Sequence, residues 1–371
     1  MLAILYKKLD NIINRYKAEG DGRDMPIRVL VVDDSVLFRT KLQLTLSKDP
    51  EIKIIGTAVD ADDAMRRILE LKPDVVTLDV EMPKVNGIDF LKQLIPQHPI
   101  PVVVVSSLPI NALDAMSAGA VDYVKKPTDV TPDAVSSFFT ELISKIKIAA
   151  GAHVRKAPLV TAASLTSRLM GGTVVTADRK AVIAIGASTG GTEAILEVVK
   201  NLPPTTPGII IVQHMPASFT TLYAQRLDKV CKMSAKEAAD NDRVEQGKII
   251  LAAGEFHLTL KKDEKGYYIR SQRGEKVSGH CPSVDVMFDS VADTAGKDAV
   301  GVLLTGMGAD GAKGLTKMKS KGAYTIGQDK ETCVVYGMPM EAYKMGGVSR
   351  QLPLDQIADE LIYYFNKKPK I

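Results

Sequence analysis

The sequence predicts an α/β protein of two doubly wound domains joined by a linker. Three observations carry that prediction. Short continuous apolar runs recur along the chain, as parallel strands buried on both faces require, and segments of helical period lie between them. A stretch of small and polar residues without period, 148–178, divides this alternation into two blocks. With 371 residues and 45% hydrophobic content, each block can bury a core of its own.

The first block opens on "IRVLVV" (27–32), a central strand. "FRTKLQLTLS" follows as a helix, "IKIIGTA" as a second strand, and "DADDAMRRILEL" as a helix capped by Asp60 or Asp62. "DVVTLD" (74–79) is a third strand, "NGIDFLKQLI" a helix, "PVVVVSS" (101–107) a fourth strand and "VDYVKKP" a short fifth. "VSSFFTELISKIKIAA" closes the block as a helix. The expected layout is an extension over 1–26, a first domain over 27–147, a linker over 148–178 and a second domain over 179–371. In the extension, Ile4, Leu9, Ile12 and Ile13 fall at helical spacing, while Lys7 and Lys8 interrupt the apolar start too early for a signal-peptide core.

Composition excludes several classes. No apolar run reaches the roughly 18 residues of a membrane span. Cys231, Cys281 and Cys333 are far apart and form no CxxC pair, so neither a disulfide framework nor a zinc site is expected, and a cytoplasmic, reducing setting is. The net charge of +4 is uneven: residues 27–147 carry 14 Lys and Arg against 17 Asp and Glu, and residues 148–371 carry 29 against 23. That spread-out excess is no nucleic-acid footprint, which needs clustered bases; it suits an acidic macromolecular partner.

The carboxyl ends of adjacent strands line the binding crevice of an open parallel sheet. Asp33 and Asp34 follow the first strand and Asp79 ends the third, so three carboxylates converge there, an arrangement that favours a cation such as Mg²⁺. Ser106 and Lys126 end the fourth and fifth strands. Any one of these residues alone reads best as a turn or helix cap; all five on one edge read as a site for a phosphoryl group on a carboxylate. "VLVVDDS", "VTLDVEMPKVNGIDFL", "VVVVSS" and "YVKKP" resemble the response-regulator receiver domain over its whole length. The resemblance implies a flavodoxin-like sheet of order 2-1-3-4-5. It makes Asp79 the phosphorylated residue. Asp33, Asp34, Asp79 and the Glu81 carbonyl become the Mg²⁺ ligands, Ser106 and Lys126 the phosphoryl-binding pair, and Tyr123 the aromatic switch. It also implies a Lys126–Pro127 bond that is often cis in such domains.

In the second block, "KAVIAIGAS" (180–188) is a strand and "GGTEAILEVVKNL" (190–202) a helix with Ile195, Val198, Val199 and Leu202 on its apolar face. The turn between them, G-A-S-T-G, fits the G-x-S-x-G elbow of a serine nucleophile, a weak signal by itself. A dinucleotide fingerprint fails because Ser188 stands at the second glycine, and a P-loop fails for want of its lysine. Among the five histidines, His214 ends the strand "GIIIVQ" (208–213) and is the best-placed base; His280, in "SGHCPS", is second. Asp310 follows the strand 299–304 in a glycine-rich turn. Alone it reads as the cap of a helix beginning near Ala312; with Ser188 and His214 at equivalent strand ends it reads as the third member of a triad.

The order Ser, His, Asp differs from that of α/β-hydrolases. "AIGASTGGTEA", "VQHMP", "GHCPSVDVMF", "LLTGMGADGAKGL" and "ETCVVYGMPMEA" resemble the catalytic domain of chemotaxis protein-glutamate methylesterases, the CheB family, with one departure at Ala253, where the family usually has proline. This implies a mostly parallel α/β methylesterase domain with no cofactor for its ester chemistry. It implies hydrolysis of glutamate methyl esters and deamidation of glutamines on chemoreceptors, with Thr189 and Met307 as oxyanion donors. A chemotaxis histidine kinase would be the phosphodonor, and the receiver would cover the Ser188 edge until phosphorylated. Two rival classes are a receiver-linked transcription regulator, which would need a helix-turn-helix after the linker, and a methyltransferase using "TGMGADG" as a cofactor loop.

Overall fold

The computed structural model describes residues 25–129, 131–154 and 181–367. The first unit runs β1 (Ile27–Val32), α1 (Val36–Leu46), β2 (Ile52–Ala58), α2 (Ala61–Leu71), β3 (Val75–Asp79), α3 (Gly87–Gln97), β4 (Val102–Ser106), α4 (Pro109–Ser117), β5 (Asp122–Lys125) and α5 (Pro132–Ala149). Its five strands are all parallel in the order β2-β1-β3-β4-β5, the order expected. Local chemistry sets the boundaries. Ser35 accepts from the Phe38 N–H, so α1 starts two residues before the run read as helical. Asp60, and not Asp62, caps α2, and Asn86 caps α3. Phe90, Leu91 and Leu113 pack with Leu30 and Val104 on one face of the sheet; Leu42, Leu46, Phe138 and Leu142 pack with Val31 and Val105 on the other.

The second unit runs β6 (Val182–Ala187), α6 (Gly191–Val199), β7 (Gly208–Gln213), α7 (Ala217–Val230), β8 (Ser234–Glu237), β9 (Lys248–Leu251), β10 (Phe256–Asp263), β11 (Gly266–Arg273), α8 (Val284–Thr294), β12 (Ala299–Leu303), α9 (Ala312–Ser320), β13 (Tyr324–Gln328), α10 (Met338–Lys344), β14 (Arg350–Leu352) and α11 (Leu354–Lys367). Seven parallel strands in the order β14-β13-β12-β6-β7-β9-β8 form the sheet, and β10 and β11 form a separate antiparallel hairpin. Alternate residues of β6 serve opposite faces: Ile183 and Ile185 pack with α6, α7 and α11, while Val182 and Ala184 pack with α8 and the hairpin.

Helix α5 continues to Ala149, two residues into the span read as linker. Residues 1–24, with the extension's apolar positions, and 155–180, most of that linker, lie outside the described residues. Among the described residues the cis bond is Cys281–Pro282; Lys126–Pro127 is trans, against the expectation from the receiver resemblance. No described helix is long and apolar enough to cross a membrane.

Candidate active site

Ser188 and His214 leave neighbouring strands at the same level. The β6–β7 register pairs Ala187 with Gln213, so the next residue on each strand opens onto the same strand-end edge. The turn carrying Ser188 is fixed through its backbone: the Ser188 N–H donates to the Thr305 carbonyl at 3.0 Å, and the Ser188 carbonyl accepts from Gly191 N–H at 2.7 Å and Gln213 Nε2 at 2.9 Å. Two glycines are required here. Gly190 takes φ +76°, the left-handed region, and Gly306 lies so close that a Cβ would stand 2.7 Å from Ser188 Cβ.

His214 Nε2 meets Asp310 Oδ2 at 2.8 Å, and both side chains are buried. The other ring nitrogen, Nδ1, is buried without a hydrogen-bond partner among the described residues. Asp310 does not cap the helix that follows it. Its carboxylate instead sits on the N-terminus of α8, accepting from the Ser283 hydroxyl (2.7 Å), Val284 N–H (2.8 Å) and Asp285 N–H (3.0 Å). Burial pushes the Asp310 carboxyl up, but the hydrogen bond and charge of His214, with the Asp285 and Ser283 donors, outweigh it and hold the group at about 2. Asp310 therefore stays ionised beside the imidazole. The Thr189 and Met307 N–H groups are taken up by no hydrogen bond among the described residues. They flank Ser188 from its own turn and from the residue after Gly306.

Four of the five residues predicted for the first unit also converge. Oxygens of Asp33, Asp34 and Asp79 lie within 4.8 Å of one another, and Lys126 Nζ reaches Asp33 (3.0 Å) and Asp79 (2.6 Å). Burial raises the Asp33 carboxyl against the pull of Lys126. For Lys126 burial works downward and is outweighed by Asp79 and Asp33, so its ammonium is held more firmly. An all-oxygen set of three carboxylates with one facing cation fits a hard divalent ion such as Mg²⁺. The Glu81 N–H donates to Asp79 Oδ1 at 3.0 Å, which brings the Glu81 backbone to the same edge. Ser106 ends β4, where its hydroxyl bonds the Leu108 backbone.

The two sites are joined by direct contact. Tyr123 stacks on Phe219 of α7 with centroids 4.2 Å apart, and the neighbouring Asp122 accepts from the Thr189 hydroxyl at 2.8 Å. Arg226 of α7 donates to the Leu113 carbonyl (3.1 Å) and pairs with Glu193 of α6 (3.0 Å). One apolar cluster runs from Phe90 and Leu113 into Ile195 and Phe219. The residue after Ser188 is thus tied to the strand that bears Tyr123 and ends beside Lys126.

Residues 29–132 match the response regulator receiver domain family, and residues 183–361 match the CheB methylesterase family. A protein-glutamate methylesterase/protein-glutamine glutaminase 2 of Syntrophomonas wolfei subsp. wolfei is 51% identical over 92% of this chain and 98% of its own length. The protein-glutamate methylesterase/protein-glutamine glutaminase of Syntrophotalea carbinolica is 47% identical over 91% and 97%. The chain belongs to this family of receiver-linked CheB methylesterases. A crystal structure of the Thermotoga maritima CheB methylesterase catalytic domain is 38% identical and covers 50% of this chain and all of that one, with a TM-score of 0.49. Among the described residues the unit after the linker is the seven-stranded parallel sheet that matches the methylesterase family, where a transcription regulator would carry a helix-turn-helix.

Sequence reasoning missed two parts of this methylesterase-family site and gave a third another role. His280, read as a second candidate base, lies face to face with His214, ring centroids 3.7 Å apart at 12°. Ser283 and Asp122 were not singled out. Ser283 carried a legible sign, since it stands at a helix start as a cap residue does. Asp122 carried none, because its partner Thr189 lies 67 residues away.

Proposed function

We propose that this chain hydrolyses glutamate γ-methyl esters on chemoreceptors, releasing methanol, and deamidates receptor glutamines by the same route with ammonia leaving. The observation that carries this is the 2.8 Å His214–Asp310 pair standing level with Ser188 on adjoining strands. His214 Nδ1 takes the Ser188 hydroxyl proton as Oγ bonds the ester carbon. The oxyanion rests against the Thr189 and Met307 N–H groups, a kind of contact worth about a hundred- to a thousandfold in rate. Collapse breaks the carbon–methoxy bond, and Nδ1 returns the proton to the departing oxygen as methanol. Water, deprotonated at Nδ1, then cleaves the Ser188 ester to leave the glutamate carboxylate and the free hydroxyl. Asp310 holds the imidazole with Nε2 protonated and balances its transient charge. Rapid quench of a reaction with methylated receptor, followed by mass spectrometry, should find the receptor glutamyl group esterified to Ser188; finding it on any other side chain would refute the assignment.

The first domain is the control element of this reading. Asp79 accepts the phosphoryl group from a chemotaxis histidine kinase. Asp33, Asp34, Asp79 and the Glu81 carbonyl would hold Mg²⁺, which when bound neutralises charge on the phosphoryl oxygens. Ser106 and Lys126 contact those oxygens, and Tyr123 responds to the change. In the unphosphorylated chain the receiver covers the Ser188 edge, and the Asp122–Thr189 and Tyr123–Phe219 contacts support that view. Phosphorylation withdraws Lys126 from its present partners and loosens the β5 contacts. The domain limits that serve this design are 27–147 for the receiver, 148–178 for the linker and 179–371 for the esterase.

A further inference from the structure

We infer that the segment His280–Asp285 is a clamp on the catalytic pair, with His280 a positioning residue that fixes the plane of His214 by face-to-face stacking. The inference rests on the reading of His214 as the base at Ser188 and adds to it a residue outside the triad.

The segment holds both members of the pair at once. Its first residue lies parallel to the His214 ring, and its last three supply the Ser283 hydroxyl and the Val284 and Asp285 N–H groups to the Asp310 carboxylate. The segment is itself anchored at both ends. Val277 and His280 exchange backbone hydrogen bonds (3.0 and 2.9 Å) around Ser278 and Gly279. Both of those take positive φ, +53° and +86°, as a tight primed turn requires. Beyond it, the Ser283 N–H donates to His257 Nδ1 (3.3 Å), whose Nε2 donates to the Glu275 carbonyl (2.8 Å). This ties the segment to β10 and to the strand end leading into it.

The chemistry of the stack gives His280 a role distinct from a base. Burial lowers its basicity first. The facing His214 and the nearby Lys276 lower it further, only Asp310 opposes, and the group falls to about 3. It is therefore a neutral ring whenever His214 accepts the serine proton. A neutral aromatic face 3.7 Å away shields one side of His214 from water without competing for its proton. The stack itself adds a modest attraction beyond its buried area. The larger effect expected is geometric, because a misplacement of about 1 Å of a catalytic group can cost about a hundredfold in rate. With Nε2 held on Asp310, rotation about that hydrogen bond is the freedom left to the ring, and a flat partner against its face removes it.

The test is steady-state methanol release from methylated receptor by the full chain with a phosphodonor, comparing His280→Ala, His280→Phe and Ser188→Ala with wild type. His280→Ala should lower kcat by about ten- to a hundredfold while KM stays within about twofold. His280→Phe, which keeps a ring and loses both nitrogens, should recover kcat to within a few-fold of wild type. The inference is overturned if His280→Ala retains wild-type kcat. It is equally overturned if His280→Phe, shown folded by its melting transition, is as slow as His280→Ala, since a ring nitrogen and not the stack would then be what matters. If His280→Ala does not fold, the rate of His280→Phe decides alone. Full methanol release by Ser188→Ala would instead sink the serine reading beneath it, so the two failures are distinguishable.

Discussion

Removing the Thr189 hydroxyl should release the receiver's hold on the esterase site. In Thr189→Val the chain keeps its shape and its 189 N–H but loses the 2.8 Å donation to Asp122 Oδ2. Asp122 is buried and retains Lys145 (3.0 Å) and its bond from the Tyr123 N–H (2.8 Å), so the fold of the receiver survives while the interface alone loses a donor. A hydrogen bond to a charged group contributes about 1.5–3 kcal/mol. At about 1.4 kcal/mol per factor of ten, the covered arrangement should lose about ten- to a hundredfold in population relative to the open one. The assay is methanol release with and without a phosphodonor, read as a ratio within each variant, so that any effect of residue 189 on the chemistry cancels. Wild type should show strong stimulation, whereas Thr189→Val should show a ratio about tenfold closer to one, with its unphosphorylated rate raised toward the phosphorylated one. An unchanged ratio would refute the claim that this contact restrains the site.

Further outcomes follow from other contacts. Phe219→Ala removes the partner of the 4.2 Å Tyr123 stack and should also raise the unphosphorylated activity, by about two- to tenfold for a pair worth about 0.5–1.5 kcal/mol; the same ratio measures it. Asp79→Asn should abolish stimulation by a phosphodonor, and labelled phosphate should no longer remain on the protein. Asp285 gives a pH signature: burial raises its carboxyl to about 6, against the Gly314 N–H that it accepts at 2.7 Å. An acid raised in this way favours the fold while protonated, so its contribution is present below about 4 and lost as pH rises through about 6. Asp285→Asn keeps the acceptor oxygen and should flatten stability between those pH values, gaining about 1–2 kcal/mol at neutral pH once screening is allowed for. Urea midpoints at pH 4 and pH 7.5 measure this, and a loss of stability at pH 7.5 would count against it.

The sequence made the architecture legible where one local rule sufficed. Runs such as "VVVVS" and "GIIIVQ", short and rich in β-branched residues, read as strands buried on both faces, and all their described pairings are parallel. Strand ends then located Ser188, His214 and the five receiver-edge residues, because a parallel sheet brings its carboxyl ends to one edge whatever lies between. The β10–β11 hairpin and the strands β8, β9, β13 and β14 were not read: polar residues such as those of "KKDEKGYYIRSQR" carry no buried-strand pattern, and the apolar runs in "KIIL" and "YTIGQ" are too short to stand out. Asp310 illustrates the limit within the site. Its position in a glycine-rich turn was visible, but that its carboxylate sits on the start of α8, 25 residues earlier in the chain, depends on how two helices pack. The same holds for His280: a loop histidine and a stacked partner of His214 are identical in sequence. Contacts across domains, such as Asp122 with Thr189, leave no period or spacing to find.

The mechanism at Ser188 requires that one serine carry the ester chemistry. Methanol release from methylated receptor, measured in the presence of a phosphodonor for wild type beside Ser188→Ala, tests it most directly. A fall of Ser188→Ala to the rate without enzyme, with its melting transition and its phosphorylation on Asp79 preserved, is the result predicted here. Release by Ser188→Ala at a rate comparable to wild type would contradict it.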